Sequence, residues 1–171
     1  MKTGNNVSIS PLAVIYNGEH LVIGDNVRID DFVVLSCGGG LVIGSYVHIA
    51  CYTALYAGNG MDIGDFTGIS AHCALYSASD DYSGEALSNP TVPDPFKRVT
   101  RGKVLVGRHC LVGHGSTVMP GVHIGDGVSI GAHSFVNRNC VSWGIYAGVP
   151  AVRIKERSNN ALNLERILLN G

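Results

Sequence analysis

The sequence predicts an all-β fold: a β-solenoid of about six coils with one extruded loop and a short C-terminal α-helix. Three observations support this prediction: aliphatic residues recur every six positions, a single long segment interrupts the repeat, and helical spacing replaces it near the C-terminus. A period of six fits neither an amphipathic helix nor an alternating strand, whereas three hexads make one coil of a solenoid. We expect a single domain over residues 1–171.

The hexads begin with an aliphatic residue, usually followed by a small or acidic one, and they predict a β-helix over residues 3–141. Stacking the coils places their first residues in three inward columns. These columns are Ile23, Ile43, Ile63, Val106 and Ile124; Ile29, Ile49, Ile69, Val112 and Ile130; and Ile15, Leu35, Leu55, Leu75, Val118 and Val136. Coils in the first half are two residues longer, and glycines cluster at the lengthened corner, where positive φ is needed.

The repeat stops after Leu75 and returns at Val106, which predicts an extruded loop at about 77–103. Three prolines, Pro90, Pro93 and Pro95, stiffen this segment. Long ordered loops on a rigid scaffold usually carry function, although a tolerated surface insertion is the alternative. The loop holds the densest set of reactive polar groups in the chain, so we expect it to be functional.

Residues 142–171 form a C-terminal extension that ends in a predicted helix. Ser158 is a candidate N-cap, and the apolar residues after it follow helical spacing. We expect this helix to cover the open top edge of the solenoid, which would otherwise expose unpaired strand groups. Packing on a neighbouring subunit is the alternative.

Composition excludes several classes of function. The net charge of −1 gives no basis for a nucleic-acid surface, and no apolar run approaches the roughly 20 residues of a membrane span. We expect no signal peptide, because the N-terminus has no apolar segment of that type. The five cysteines form no C-x-x-C pair, so we expect reduced packing residues in a cytoplasmic protein.

The hexads, the single loop, the stretch 112–122 and the Tyr-Ala-Gly-Val-Pro-Ala exit at 146–151 together resemble the hexapeptide-repeat acyltransferases. Nearest are the sugar acetyltransferases related to galactoside acetyltransferase, including those that modify O-antigen and capsule sugars. The resemblance implies a left-handed parallel β-helix and a homotrimer with active sites between neighbouring prisms. It also implies acetyl-CoA as donor, no metal, and a sugar or nucleotide-sugar acceptor acetylated on a hydroxyl or amino group during surface polysaccharide biosynthesis.

Acetyl transfer needs a base near the acceptor and donors aimed at the oxyanion. The family places a base histidine at the start of the loop, but residues 75–82 contain none, and Asp80 or Asp81 occupies the matching place. A carboxylate is a poor base for a hydroxyl unless burial or a like charge raises its pKa, as two adjacent aspartates could. The choice of base stays open between these aspartates and the nearest histidines. The catalytic candidates are His72, His114, Asp80 and Asp81.

Binding residues follow from the loop and from the resemblance. His48, Tyr82 and Asn89 are the candidate acceptor-binding residues, because a polar loop suits a hydroxyl-rich sugar. By position in the family, the coenzyme would lie along Gly113, His114, Gly131, Ala132, Asn137 and Arg138. Arg153 and Lys155 would pair with its phosphates.

Two alternatives come from other functional classes. The γ-class carbonic anhydrases share this prism and bind zinc through three histidines, and here His109, His114 and His72 could be compared with them. The register argues against this assignment, because Met119 stands where a ligand is needed and His109 falls on another face. The second alternative is a non-catalytic solenoid that scaffolds or binds sugar, from which acetyl-CoA affinity would distinguish an enzyme.

Overall fold

The structure, a computed structural model, describes all 171 residues and forms a parallel β-helix with three faces. Each hexad contributes one short strand, which pairs with the equivalent strand one coil away. The first face contains β1 Lys2–Thr3, β4 Leu21–Ile23, β7 Leu41–Ile43, β10 Met61–Ile63, β15 Val104–Val106 and β18 His123–Ile124. The second contains β2 Val7–Ile9, β5 Val27–Ile29, β8 His48–Ile49, β11 Gly68–Ile69, β16 Leu111–Val112, β19 Ser129–Ile130, β21 Gly144–Ala147 and β22 Val152–Glu156. The third contains β3 Val14–Tyr16, β6 Val34–Ser36, β9 Ala54–Tyr56, β12 Ala74–Tyr76, β17 Thr117–Val118 and β20 Phe135–Val136.

The core consists of the inward columns that the repeat predicts. Ile49 pairs in register with Ile29 and Ile69, and Ile69 pairs with Val112, so each aliphatic side chain lies directly above its equivalent. Thirty buried residues form one continuous cluster along the axis. The all-β prediction of about six coils is confirmed, with six strands on the first and third faces and β21 adding part of a seventh coil.

The corners of the prism are formed by the fourth residues of the hexads, which adopt left-handed backbone conformations. Phe32, Tyr52 and His72 have φ of 59°, 61° and 59°, a region that side chains other than glycine and asparagine seldom occupy. Their rings stack from coil to coil, with centroids 5.0 Å apart for Phe32 and Tyr52 and 4.9 Å for Tyr52 and His72. Stacking therefore accompanies the unfavourable backbone at this corner.

The extruded segment leaves and returns at one point of the coil. β13, Ala78–Asp80, pairs antiparallel with β14, Val99–Arg101, and a short 3-10 turn lies at Asp94–Phe96. At its base, the Gly102 N–H donates to the Ser77 carbonyl over 3.0 Å. Because the two ends meet, β15 resumes in register beside β10.

The C-terminal extension differs from the prediction in what it covers. The antiparallel strand β22 pairs with β21 at the top of the second face, so this hairpin covers the edge that we expected the helix to cover. Helix α1, Ala161–Asn170, instead docks on the corner between the first and second faces. There Glu165 pairs with Arg108 and accepts a hydrogen bond from His109 Nε2 at 2.8 Å. The His109 hydrogen bond and the neighbouring Arg108 hold the pKa of Glu165 below its ordinary value.

The cysteines are packing residues. All five are free, and the three at inward fifth positions, Cys73, Cys110 and Cys140, are buried. Burial raises the pKa of Cys110 and Cys140 to about 11, which keeps both thiols protonated at neutral pH. The only α-helix, α1, is too short and too polar to cross a membrane.

The column model predicts unequal costs for two aliphatic truncations. Leu55 is fully buried, whereas Val42 lies on the outer side of the first face and is 44% exposed. Leu55→Ala should lower the free energy of unfolding by about 2–5 kcal/mol through lost burial and a cavity. Val42→Ala should cost roughly 0.5 kcal/mol or less. Urea unfolding followed by circular dichroism measures both, and equal losses would contradict the inward assignment of Leu55.

We expect the Glu165 carboxylate to stabilise the docking of α1, because it pairs with both Arg108 and His109. Glu165→Gln removes the charge that pairs with Arg108 and His109, so the amide hydrogens of 161–170 should exchange faster at neutral pH. Glu156→Gln is the matched control, because Glu156 pairs only with Arg153 at the exposed surface. Hydrogen–deuterium exchange by mass spectrometry compares the two variants. Unchanged protection in the Glu165 variant would show that other contacts hold the helix.

Candidate functional site

A cavity of about 700 Å³ lies between the third face and the extruded hairpin. The third face contributes outward side chains from successive coils, and Thr117 and Phe135 are in register above Ala74. The hairpin forms the opposite wall. The lining residues are Tyr76, Ala78, Ser79, Asp80, Tyr82, Val99, Thr117, Met119 and Phe135. The volume is typical of small-molecule sites, and the lining combines an apolar floor with few polar groups, as such sites usually do.

Asp80 is the one carboxylate in this lining. It is the last residue of β13, and its Oδ2 atom accepts a hydrogen bond from the Asn89 backbone N–H at 3.1 Å. The Asn89 side chain is engaged elsewhere, since its Oδ1 accepts from the Thr91 N–H and hydroxyl. Asn89, predicted to bind the acceptor, therefore helps to orient the Asp80 carboxylate through its main chain.

Asp81 has a different environment. Its carboxylate accepts hydrogen bonds from the Ser83 N–H and hydroxyl and from the Ala86 N–H, and it does not line the cavity. The Ser83 hydrogen bonds hold the pKa of Asp81 below its ordinary value. The expectation that a like-charge pair would raise the pKa is therefore wrong for Asp81, because local turn donors stabilise its charged form.

Two tyrosines supply the phenol groups of the cavity. Tyr82, a predicted acceptor-binding residue, lines it and is 89% exposed. Tyr76, which sequence reasoning missed, is partly buried, and that burial together with Tyr56 and Tyr82 raises the pKa of its phenol. Tyr76 is therefore a neutral hydrogen-bond donor at physiological pH. Its signal in the sequence is an outward third-face position at the coil from which the hairpin departs.

The predicted catalytic histidines lie outside this lining. His72 and His114 sit at the corner between the second and third faces, with ring centroids 5.2 Å apart, and His133 is 5.2 Å from His114. Within one chain, these imidazoles therefore lie close to one another and do not line the cavity that contains Asp80. Their side chains are exposed, so they remain accessible to a second molecule.

His48 belongs to a separate polar group on the second face. Its Nε2 lies 2.8 Å from Asp30 Oδ2, and Arg28 Nε lies 2.6 Å from Asp30 Oδ1. Burial alone would raise the pKa of Asp30, but the hydrogen bonds from His48 and Arg28 outweigh it and lower the pKa. His48 does not line the cavity with Asp80 and Tyr82.

The predicted coenzyme residues lie on the last coils. A Cβ at Gly113 would approach the Ala132 nitrogen to 2.6 Å, so the coil above requires glycine there. Asn137 and Arg138 are exposed beyond Phe135, at the upper end of the cavity's own face. Gly131 and Ala132 form the adjacent corner between β19 and β20.

The two C-terminal cations predicted to pair with phosphates lie on β22. Arg153 pairs with Glu156 at 2.7 Å, whereas Lys155 is exposed and makes no ion pair within the chain.

The three histidines compared with zinc ligands are not brought together by the structure. His109 lies on the corner between the first and second faces, where it stacks on Phe66 and pairs with Glu165. It is therefore on a different corner from His72 and His114. No cluster of three or more histidine, cysteine, aspartate or glutamate side chains is arranged to hold a metal ion.

Comparison with known proteins places these features in a family. Residues 103–138 match the family model described as bacterial transferase hexapeptide (six repeats). The structure superposes on AntD, an N-acyltransferase from Bacillus cereus solved with dTDP and 3-hydroxybutyryl-CoA, with a TM-score of 0.95 and 47% identity. That match covers 98% of this chain and 89% of AntD. Other AntD structures carry a replaced serine, or a replaced aspartate ten residues after it.

Two curated Escherichia coli proteins match over shorter segments. A dTDP-4-amino-4,6-dideoxy-D-glucose acyltransferase is 41% identical over 91 residues, which are 53% of this chain and 47% of that protein. WbbJ, a candidate lipopolysaccharide biosynthesis O-acetyl transferase, is 35% identical over 72 residues, 42% of this chain and 37% of that protein. The alignments thus span less than half the length of these two relatives.

Proposed function

Because the chain belongs to the bacterial hexapeptide-repeat transferases with a left-handed parallel β-helix, we propose that it transfers an acyl group from coenzyme A to the amino group of a nucleotide-linked sugar. The observation that carries this proposal is the cavity in which Asp80 is the one carboxylate. AntD, solved with dTDP-4-amino-4,6-dideoxyglucose and coenzyme A, supports it. The name of WbbJ supports a place in surface polysaccharide biosynthesis.

The chemistry of Asp80 favours an amine over a hydroxyl. A carboxylate attracts a protonated amino group and can take the proton that an amine loses on acylation, but it is a weak base toward an alcohol. The neutral amine attacks the thioester carbonyl, the tetrahedral oxyanion collapses, and the coenzyme leaves as a thiolate that gains a proton. The bound ammonium first loses one proton to solvent. After the attack Asp80 takes the second proton from the nitrogen and passes it to the departing thiolate, while the Asn89 N–H fixes the orientation of the carboxylate.

A second observation supports this role for Asp80. The serine and aspartate replaced in AntD are ten residues apart, and Ser70 and Asp80 have the same separation here. In the only other such pair, Ser116 and Asp126, neither residue lines the cavity: Ser116 is buried, and Asp126 accepts from the Arg108 N–H.

The coenzyme would lie beside the upper coils, at Gly113, His114, Gly131, Ala132, Asn137 and Arg138, with Arg153 and Lys155 near its phosphates. Phe135 connects this surface to the cavity, since it lines the cavity two residues before Asn137. The donor is acetyl-CoA or a slightly longer acyl-CoA, because AntD was solved with 3-hydroxybutyryl-CoA.

We also propose a homotrimer in the cytoplasm. Outward apolar side chains such as Phe32, Tyr52 and Leu111 remain exposed on a single prism, and cyclic closure would cover them. In such an assembly His72 or His114 could meet a neighbour's cavity, which keeps their predicted roles open. Five free cysteines suit a reducing compartment.

Replacing the two adjacent aspartates separately tests the assigned base. Asp80→Asn should lower the turnover of a dTDP-linked amino sugar by roughly 10²–10⁴-fold, as expected for a lost general base. Asp81→Asn is the matched control and should retain turnover within about threefold. CoA release followed with a thiol reagent measures both. Normal turnover in the Asp80 variant, with a large loss in His72→Ala or His114→Ala, would move the base to a neighbouring chain's imidazole.

The assembly proposal predicts a particle of three chains. Light scattering at micromolar concentration should give three times the chain mass of 18.0 kDa. A monomer with full acyltransferase activity would exclude any contribution of His72 or His114 across an interface.

A further inference from the structure

An outward column of four residues runs along the third face toward the cavity. Tyr16 is in register with Ser36, Ser36 with Tyr56, and Tyr56 with Tyr76. Tyr76 is part of the cavity lining, so the column leads from the lowest coil of the third face to the candidate active site. Three of its four positions carry a phenol ring.

The rings stack where neighbouring coils both provide one. Tyr56 and Tyr76 have centroids 5.0 Å apart and planes within 10°. Ser36 interrupts the column below them, and no ring of the chain stacks on the lower side of Tyr56, which is 40% exposed. Tyr16, two coils below Tyr56, is 57% exposed.

Two other interrupted columns in this protein are filled by rings of the chain itself. At the corner below Trp143, a Cβ at Gly127 would lie 2.3 Å from the Trp143 ring, so the indole occupies the space that Gly127 leaves. At the corner of His72, a Cβ at Gly115 would lie 2.5 Å from the His133 ring. The gap at Ser36 differs from both, because no ring of the chain covers it.

We propose that the gap at Ser36 is the slot for the planar base of the nucleotide that carries the acceptor sugar; this inference rests on the proposed function. Two coils separate Tyr16 from Tyr56, about 10 Å, which leaves room for one planar ring at stacking distance from each. Two further coils, again about 10 Å, separate Ser36 from Tyr76 at the cavity. A pentose and a diphosphate can span that separation and place the sugar beside Asp80.

Two substitutions test this proposal: one fills the slot at Ser36, and the other removes the Tyr56 ring above it. Ser36→Tyr completes the column and should weaken the binding of dTDP, the probe nucleotide, at least tenfold. Tyr56→Leu removes a stacking surface and should weaken dTDP binding by about 5–150-fold, since base–aromatic stacking contributes about 1–3 kcal/mol. Ser8→Tyr is the matched control, because Ser8 points outward from the second face, and it should bind dTDP like wild type. Calorimetry gives the affinities for dTDP and for coenzyme A, and coenzyme affinity should stay unchanged throughout.

Thermal melting separates blocked binding from misfolding. Ser36→Tyr should melt no lower than wild type, because the added ring stacks on Tyr56. Unchanged dTDP affinity in both slot variants, or no dTDP binding by wild type, would overturn the slot even if the enzyme acylates amino sugars. A change in assembly mass without a change in dTDP affinity would also overturn it, since the gap would then receive a side chain of a second copy. Slot-dependent dTDP binding without any acyl transfer would instead refute the proposed function.

Discussion

Vertical register is the constraint on which the rest of this structure depends. Each strand residue of the coils lies directly above its equivalent in the coil below, so a choice of side chain is repeated as a column along the β-helix. The residues of an aliphatic column, such as Ile29, Ile49, Ile69 and Val112, bury one another, so the core forms from contacts between adjacent coils. The same register carries outward residues in line. A binding surface on this scaffold is therefore formed by residues that occupy the same position in successive coils.

The sequence predicted the features that recur in every coil, but it did not predict contacts in the segments that lie outside the repeat. The inward columns, the buried cysteines and the extruded segment follow from the hexads, because one physical rule applies to every coil. Asp80 and Asp81 could not be told apart, since their roles depend on Ser83, Ala86 and Asn89 in a segment without a repeat. The helix was recognised from its spacing, but its docking site was not. At that site Glu165 pairs with Arg108 and His109, and the hexad repeat contains no signal for this contact.

Tyr76 shows a different limit. It belongs to a column, so its outward direction was predictable, yet its importance arises only because the hairpin folds back over it. Burial, together with Tyr56 and Tyr82, raises the pKa of the Tyr76 phenol, while the Ser83 hydrogen bonds lower the pKa of Asp81 a few residues away. The site thus combines a repetitive wall, formed by the third face, with a non-repetitive wall that contributes Asp80 and Tyr82. The third face therefore largely determines the shape of the cavity, and the hairpin largely determines its chemistry.

The hydrogen bond between Gly102 and Ser77 at the base of the hairpin has a consequence for descent as well as for folding. It closes the coil before the hairpin begins, so residues between them can be lengthened, shortened or exchanged without shifting any column. Lineages of such proteins can change the inserted segment while inheriting the coils unchanged. A compact frame of this type can serve many acceptors through the replacement of a single insertion.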